Sequence, residues 1–340
     1  MRLIEPLGLL AGPDAEHAVR AGVARRLAGG PLAFTLARLI DGVVDPRIVS
    51  VPDLPAEWQA LADRVAAPIA GWAGLDPCRP AVMGILNVTP DSFSDGGAHA
   101  DADAAVAAGL ALAAEGADIV DIGGESMRPG AAPVSPACEQ GRVLQVIRGL
   151  AERGVRVSID TRHASTMAAA LEAGATIVND VSGLSHDPDA ASLVARAGCP
   201  VVLMYMRGEP ATMARHAVYD DVAVEVAAEL AARVQAAERA GIALDRMVID
   251  PGIGFAKTAR HNLEVLSRLP LLCNIGCRIL VGVSRKSFIG RLTGAERPRE
   301  RDAGSLALGL HAVARAASIL RVHDVAATVQ ALRVREAVLA

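Results

Sequence analysis

The stretch AVMGILNVTPDSFSDGGAHADADAAVAAGLALAAEGADIVDIG, residues 81–123, decides the fold. It opens on a short apolar run, AVMGILNV (81–88), and crosses a hydroxyl-rich loop, VTPDSFSDGG (88–97). An Ala-rich stretch, AAVAAGLALAAEGA (104–117), follows, and then a second β-branched run, DIVDIG (118–123). Runs that are apolar on both faces suit strands of a parallel sheet, and the helical stretch between them supplies the crossover. The unit recurs in VRVSID (155–160), TIVND (176–180), PVVLMY (200–205), RMVID (246–250), RILVGV (278–283) and ASILRV (317–322). ASTMAAALEAGA (164–175) and DVAVEVAAELAARVQAAERAG (221–241) are among the intervening helical stretches. Eight units over roughly 260 residues predict an α/β fold, a (β/α)8 TIM barrel spanning 81–340. A doubly wound open sheet is the runner-up, but no G-x-G-x-x-G follows the first strand.

Residues 1–80 do not share this rhythm. They hold apolar segments around 30–43 and 47–55 and an amphipathic stretch, AEWQALADRVAAPIAGW (56–72). A small N-terminal α+β extension docked on the barrel is expected, with no chemistry written in it. In the opening run MRLIEPLGLL, Glu5 and Pro6 interrupt the apolar residues, which makes a poor signal peptide.

The chain carries a net charge of −4, with no Lys/Arg run and no apolar run long enough to span a membrane. Nucleic acid and membrane are therefore not expected partners, and a cytoplasmic location is expected. Aromatic residues make up only 2% of the chain, so Ala, Val, Leu and Ile must build the core. Five cysteines, Cys78, Cys138, Cys199, Cys273 and Cys277, show no C-x-x-C spacing and read as small hydrophobes.

Active sites of such barrels lie at the C-terminal ends of the strands. Those ends are polar throughout: Asn87, Asp121 with Arg128 after it, Asp160, Asn179 with Asp180, Tyr205 with Arg207, Asp250, Ser284-Arg285-Lys286, and Arg321 with His323. Any one of them is most simply a turn or cap residue. Eight converging on one mouth are not. The opposite ends read as Gly116-Ala117 or Gly198-Cys199-Pro200. His99, His163, His186, His216, His261 and His311 fall outside these positions and read as ordinary helix or loop residues.

These strand ends also carry a likeness. ILNVTPDSFSDGG (85–97), DIGGESMRPGA (121–131), SIDT (158–161), NDVSG (179–183), DPGIGFAK (250–257), GVSRKSFIG (282–290) and RVHDV (321–325) closely resemble dihydropteroate synthases. The resemblance implies transfer of a dihydropterin methylene from pyrophosphate to p-aminobenzoate, in an enzyme that is a homodimer. Asp160, Asn179, Asp250 and Lys286 would then pair with the pterin edge, Phe255 would wall its pocket and Arg321 would lie against it. Asn87, Arg128, Arg321 and His323 would hold the pyrophosphate, with Mg2+ at Asn87. Ser287, Arg128 and Pro129 would receive the arylamine, its carboxylate near the start of the helix after SRKS. The implied chemistry is a dissociative substitution in which Asp160, Lys286, Arg321, His323 and Arg128 stabilise charge.

Three positions depart from the family pattern. Met127 replaces a Thr, Tyr205 a His, and Ala256 a Gly. The Ala256 change is minor where the backbone tolerates a Cβ, but Met127 and Tyr205 leave open a different, methanopterin-type arylamine or a non-catalytic pterin-binding paralogue. A methyltetrahydrofolate-binding methyltransferase on the same barrel is the other reading, though it has no use for a pyrophosphate site.

Overall fold

The computed structural model describes residues 2–42, 44–88, 98–126, 133–209 and 212–340. Met127, Arg128, Pro129 and most of the 88–97 loop, Phe93 included, lie outside the described residues.

Four strands precede the barrel: β1 (Arg2–Leu10), β2 (Arg25–Arg26), β3 (Ala33–Asp41) and β4 (Val44–Ser50). β1 runs antiparallel to β3 from Arg2↔Asp41 to Leu10↔Ala33, and β2 and β4 also pair with β3. The helices here are α1 (Gly12–Arg20) and α2 (Ala56–Ala66). Within β1, Pro6 stands opposite Ala37. Glu5, only 2% exposed, is neutralised by Arg38 and Arg268. The helix expected over 56–72 stops at Ala66, because Ala67 takes the extended conformation that Pro68 imposes on its predecessor.

The barrel strands are β5 (Ala81–Asn87), β6 (Ile119–Gly123), β7 (Val157–Asp160), β8 (Ile177–Asp180), β9 (Val201–Met204), β10 (Met247–Asp250), β11 (Arg278–Val281) and β12 (Ile319–Val322). They pair in parallel in chain order, and β12 closes on β5 through Ile319↔Ala81. Around them lie α3 (Ala98–Ala114), α4 (Pro136–Ala151), α5 (Ala164–Glu172), α6 (Ala190–Ala197), α7 (Val222–Arg239), α8 (Ala259–Ser267), α9 (Ser287–Thr293), α10 (Asp302–Val313) and α11 (Val325–Leu339). The fold is the (β/α)8 barrel that the rhythm predicts.

Side chains alternate across each strand. Val120, Ile122, Ile159, Val178, Leu203, Ile249 and Val281 face the helices. Met83, Ile119, Ile177, Val202, Val248, Leu280 and Ile319 fill the barrel's lower interior, closed from beneath by Trp72 and Leu75. Trp72 Nε1 donates to the Arg246 carbonyl at 2.9 Å, so the plug is satisfied as well as buried. Two residues past these interior positions, the inward row turns polar on four strands, at Asp121 (β6), Asn179 (β8), Asp250 (β10) and Arg321 (β12).

The N-terminal sheet docks on a 3-10 segment, Leu269–Ile275. Asn274 accepts from Ile4 N at 3.0 Å and donates to Ile4 O at 2.7 Å, pairing with β1 as a strand neighbour would.

Candidate active site

Inward alternation brings Asn87 (β5), Asp121 and Gly123 (β6), Asp160 (β7), Asn179 (β8), Asp250 (β10) and Arg321 (β12) to one mouth. Arg321 is the centre of this group. Its Nε donates to Asp121 Oδ2 at 2.6 Å and its Nη2 to Asp160 Oδ2 at 2.7 Å. Asn179 Nδ2 also donates to Asp121 Oδ2, at 3.1 Å. The second oxygens, Asp121 Oδ1 and Asp160 Oδ1, are buried without a hydrogen-bond partner among the described residues. Buried acceptors are normally satisfied. Two such oxygens on one cavity floor suit a ligand edge rich in N–H donors.

Glycines keep that floor open. A Cβ on Gly123 would lie 3.7 Å from Asp160 and 3.8 Å from Asn87 Oδ1; one on Gly282 would lie 3.9 Å from Arg321 Cβ and 4.0 Å from Asp250 Oδ2. Neither position would clash, but both would fill the cavity.

Burial pushes the Asp160 carboxyl up to about 7, with Arg321 opposing and Asp121 adding to the rise. Burial also raises Asp250, restrained by the Gly252 N–H that its Oδ1 accepts at 2.7 Å and by Lys286, Arg321 and Lys257. Lys286 is the N-cap residue of α9, and its Nζ stands 4.4 Å from the Phe255 ring centroid. Phe255 packs with Val181, Met204 and Met206, which form an apolar wall beside the charged floor. His323 follows β12, where Ser284 Oγ lies 2.9 Å from its Nδ1 and orients the ring. Ser287 is the exposed first residue of α9.

Not every polar strand end belongs to this group. Asp180 turns outward and accepts from Ser182 and Leu184, as an ordinary turn residue does. Arg207 is spent on Glu225 and Glu229 of α7, and Arg285 on Asp302. Tyr205 is buried against Lys257 and Tyr219. Asp121 was among the polar strand ends read from the sequence but was given no role, and Lys257 was not singled out. Asp121 was visible as the inward position two before Gly123. Lys257 gave no signal beyond its place in DPGIGFAK.

Among the described residues, the one cluster of three acid or His groups that could gather a cation is Glu125, Glu139 and His163. It is already occupied internally: Arg162 donates to both oxygens of Glu125, while Thr161 and His163 meet one Glu139 oxygen. His163 is thus more than an ordinary loop residue, but it lies outside the mouth group.

Residues 83–323 match the family model for pterin-binding enzymes. The dihydropteroate synthase of Mycobacterium leprae is 50% identical over 259 residues, covering 74% of this chain and 91% of that protein. The Escherichia coli enzyme is 46% identical over 266 residues, covering 78% and 94%. The Xanthomonas albilineans dihydropteroate synthase solved with 7,8-dihydropteroate is 50% identical with a TM-score of 0.73, covering 80% of this chain and 99% of that one. The same enzyme was also solved with 4-aminobenzoic acid. Polar floor, apolar wall and sequence agree: the chain belongs to the dihydropteroate synthase family of pterin-binding enzymes.

Proposed function

We propose that this protein is a dihydropteroate synthase, which joins 6-hydroxymethyl-7,8-dihydropterin pyrophosphate to p-aminobenzoate and releases pyrophosphate. The observation that carries this reading is the pair of buried oxygens, Asp121 Oδ1 and Asp160 Oδ1, that have no hydrogen-bond partner among the described residues, on two carboxylates whose other oxygens Arg321 bridges. A pterin's amino-pyrimidinone edge offers the N–H donors those oxygens lack and the acceptors that Asn179 and Lys286 would meet. Phe255 and Met204 supply an apolar face for the ring.

In this reading, the C–O bond to pyrophosphate breaks before the aniline nitrogen attacks, because the pterin ring delocalises the methylene cation. The carboxylates of Asp160 and Asp250 favour that cation electrostatically, and Asp121 becomes a third contributor. His323 and Arg128 receive the departing negative charge. Arg321, which the sequence placed against both pterin and phosphate, gives Nε and Nη2 to the floor carboxylates, so its part lies mainly with the pterin. The aniline is neutral at pH 7 and loses its proton after attack, so no strong base is required. Its carboxylate would lie toward Ser287, with Arg128 and Pro129 at the rim.

Asn87 offers one carboxamide oxygen at the mouth, which fits Mg2+ held mostly by substrate phosphate oxygens and water. Bound there, the ion would neutralise the leaving pyrophosphate.

The same proposal treats residues 1–80 as an extension on the 81–340 barrel and the enzyme as a cytoplasmic homodimer. Five free thiols, three of them buried, support a reducing compartment. Val334 and Val338, exposed on α11, support an apolar contact between copies. No described helix is long and apolar enough to cross a membrane. The test of function is pyrophosphate release and dihydropteroate formation from the two substrates with Mg2+. A chain that binds the pterin pyrophosphate yet forms no product would refute it.

A further inference from the structure

The loop from β10 to α8, residues 251–258, is wound around one amine. Lys257 Nζ donates to the carbonyl oxygens of Pro251 (2.9 Å), Gly252 (3.1 Å) and Phe255 (3.2 Å). It also lies 4.1 Å from the centroid of the Tyr205 ring. Three carbonyls and a ring face suit an ammonium, which has three N–H donors. Further ties brace the loop. Asn262 Oδ1 accepts from Gly254 N at 2.7 Å, and the Tyr219 hydroxyl donates to Ala256 O at 2.9 Å. The Tyr205 and Tyr219 hydroxyls are 3.0 Å apart.

Two departures from the family pattern therefore meet in one network. Ala256 sits at φ +47°, the left-handed region that disfavours a Cβ. The Tyr219 hydroxyl holds the carbonyl of that strained residue, and the Tyr205 hydroxyl braces Tyr219. The loop so fixed carries Asp250 at its start and Phe255 near its end.

We propose that Lys257 is a positioning residue for the pterin site: with Tyr205 and Tyr219 it winds this loop so that the Asp250 carboxylate and the Phe255 ring meet the pterin together. The proposal rests on the pterin-binding reading above and deepens it.

The charged groups around Lys257 are Asp250 from β10, Arg207 after β9, Glu229 from α7 and Lys286 after β11. Burial draws the Lys257 ammonium down to about 7, with Asp250 opposing that fall. Asp250, pushed up by burial, is restrained in part by Lys257. Removing the ammonium therefore raises the proton affinity of Asp250 further and moves the acid limb of pterin binding to higher pH.

The experiment titrates 6-hydroxymethylpterin into the full chain from pH 5 to 9, alongside KM for both substrates. Lys257→Met should weaken pterin affinity about tenfold at pH 7 and shift the acid limb upward, with the arylamine KM unchanged. Lys257→Arg, which keeps the charge, should recover part of the loss. Tyr219→Phe, which removes one hydroxyl, should weaken pterin binding about threefold. A folded Lys257→Met chain with wild-type affinity and pH profile overturns the proposal. If that variant does not fold, unchanged pterin affinity in Tyr219→Phe overturns it instead. Wild-type chain that binds the pterin without turnover refutes the transferase reading alone, since the same titration still decides Lys257. Wild-type chain that binds no pterin refutes both.

Discussion

Arg321 Nη2, on the last strand of the barrel, meets Asp160 Oδ2, on the third, at 2.7 Å across the mouth. The contact spans 161 residues of sequence, and Nε of the same guanidinium meets the fully buried Asp121. Arg321→Ala strips the counter-charge from two carboxyl groups at the mouth, Asp121 and Asp160. A loss of about 3–5 kcal/mol is expected for such an uncompensated group. The thermal midpoint should fall and pterin binding should disappear. Arg321→Lys, which lacks the guanidinium fork, should fold better yet bind weakly.

Asp160 gives the pH dependence its sign. Its carboxyl is raised by burial to about 7, so between about pH 4 and 7 the folded chain holds a proton there that the unfolded chain has released. Its contribution to stability is fully present below about pH 4 and is lost as pH rises through about 7. Ligand binding runs the other way, because the pterin's donors need the carboxylate. Pterin affinity should weaken as pH falls through about 7, and Asp160→Asn should remove the Asp160 part of that limb and leave the part that Asp250 sets. A wild-type affinity that is level from pH 5 to 8 would contradict this assignment.

Two glycines should fail in different ways. Gly252 has φ +63°, and a Cβ there would collide with the Tyr205 carbonyl oxygen. Gly252→Ala should therefore disrupt the loop and lower the thermal midpoint. Gly123 has an ordinary backbone, and its Cβ would make no contact closer than 3.7 Å. Gly123→Ala should fold with near-normal stability and raise the pterin KM several-fold, because the added methyl occupies the floor. Calorimetry beside steady-state kinetics separates the two outcomes.

Asn274 joins the N-terminal sheet to the barrel by bonds to both Ile4 backbone groups, and it also donates to Leu271 O. Asn274→Ala leaves those buried groups unpaired, at a cost of roughly 1–3 kcal/mol. Limited proteolysis should then cut within residues 2–66 sooner than in wild type, while KM for both substrates stays unchanged. Equal cutting rates would show that the apolar contacts alone dock the sheet.

The barrel was legible because its signal is periodic: a buried strand and an Ala-rich helix, repeated eight times. Which polar strand ends carry the site was read from the family resemblance, and strand alternation is the physical reason it singles out Asn87, Asp160, Asn179, Asp250 and Arg321, which all fall in the inward row. Pairing was harder to read. That Arg207 turns to α7 and Arg285 to Asp302 depends on where helices distant in sequence come to rest. The β1 strand was hidden because Glu5 and Pro6 look like breakers until Arg38 and Arg268 arrive to neutralise Glu5. Lys257 was hidden too, because its partners are backbone carbonyls, which a sequence does not distinguish from one another.

The most direct test of the account is a single-turnover assay of the wild-type chain with the dihydropterin pyrophosphate and Mg2+, with and without p-aminobenzoate. Pyrophosphate and dihydropteroate should appear in equal amounts when the arylamine is present, and Asp160→Ala and Arg321→Ala should abolish both. Wild-type chain that binds the pterin pyrophosphate but releases no pyrophosphate with the arylamine present would contradict the assignment of this mouth as a dihydropteroate-forming site.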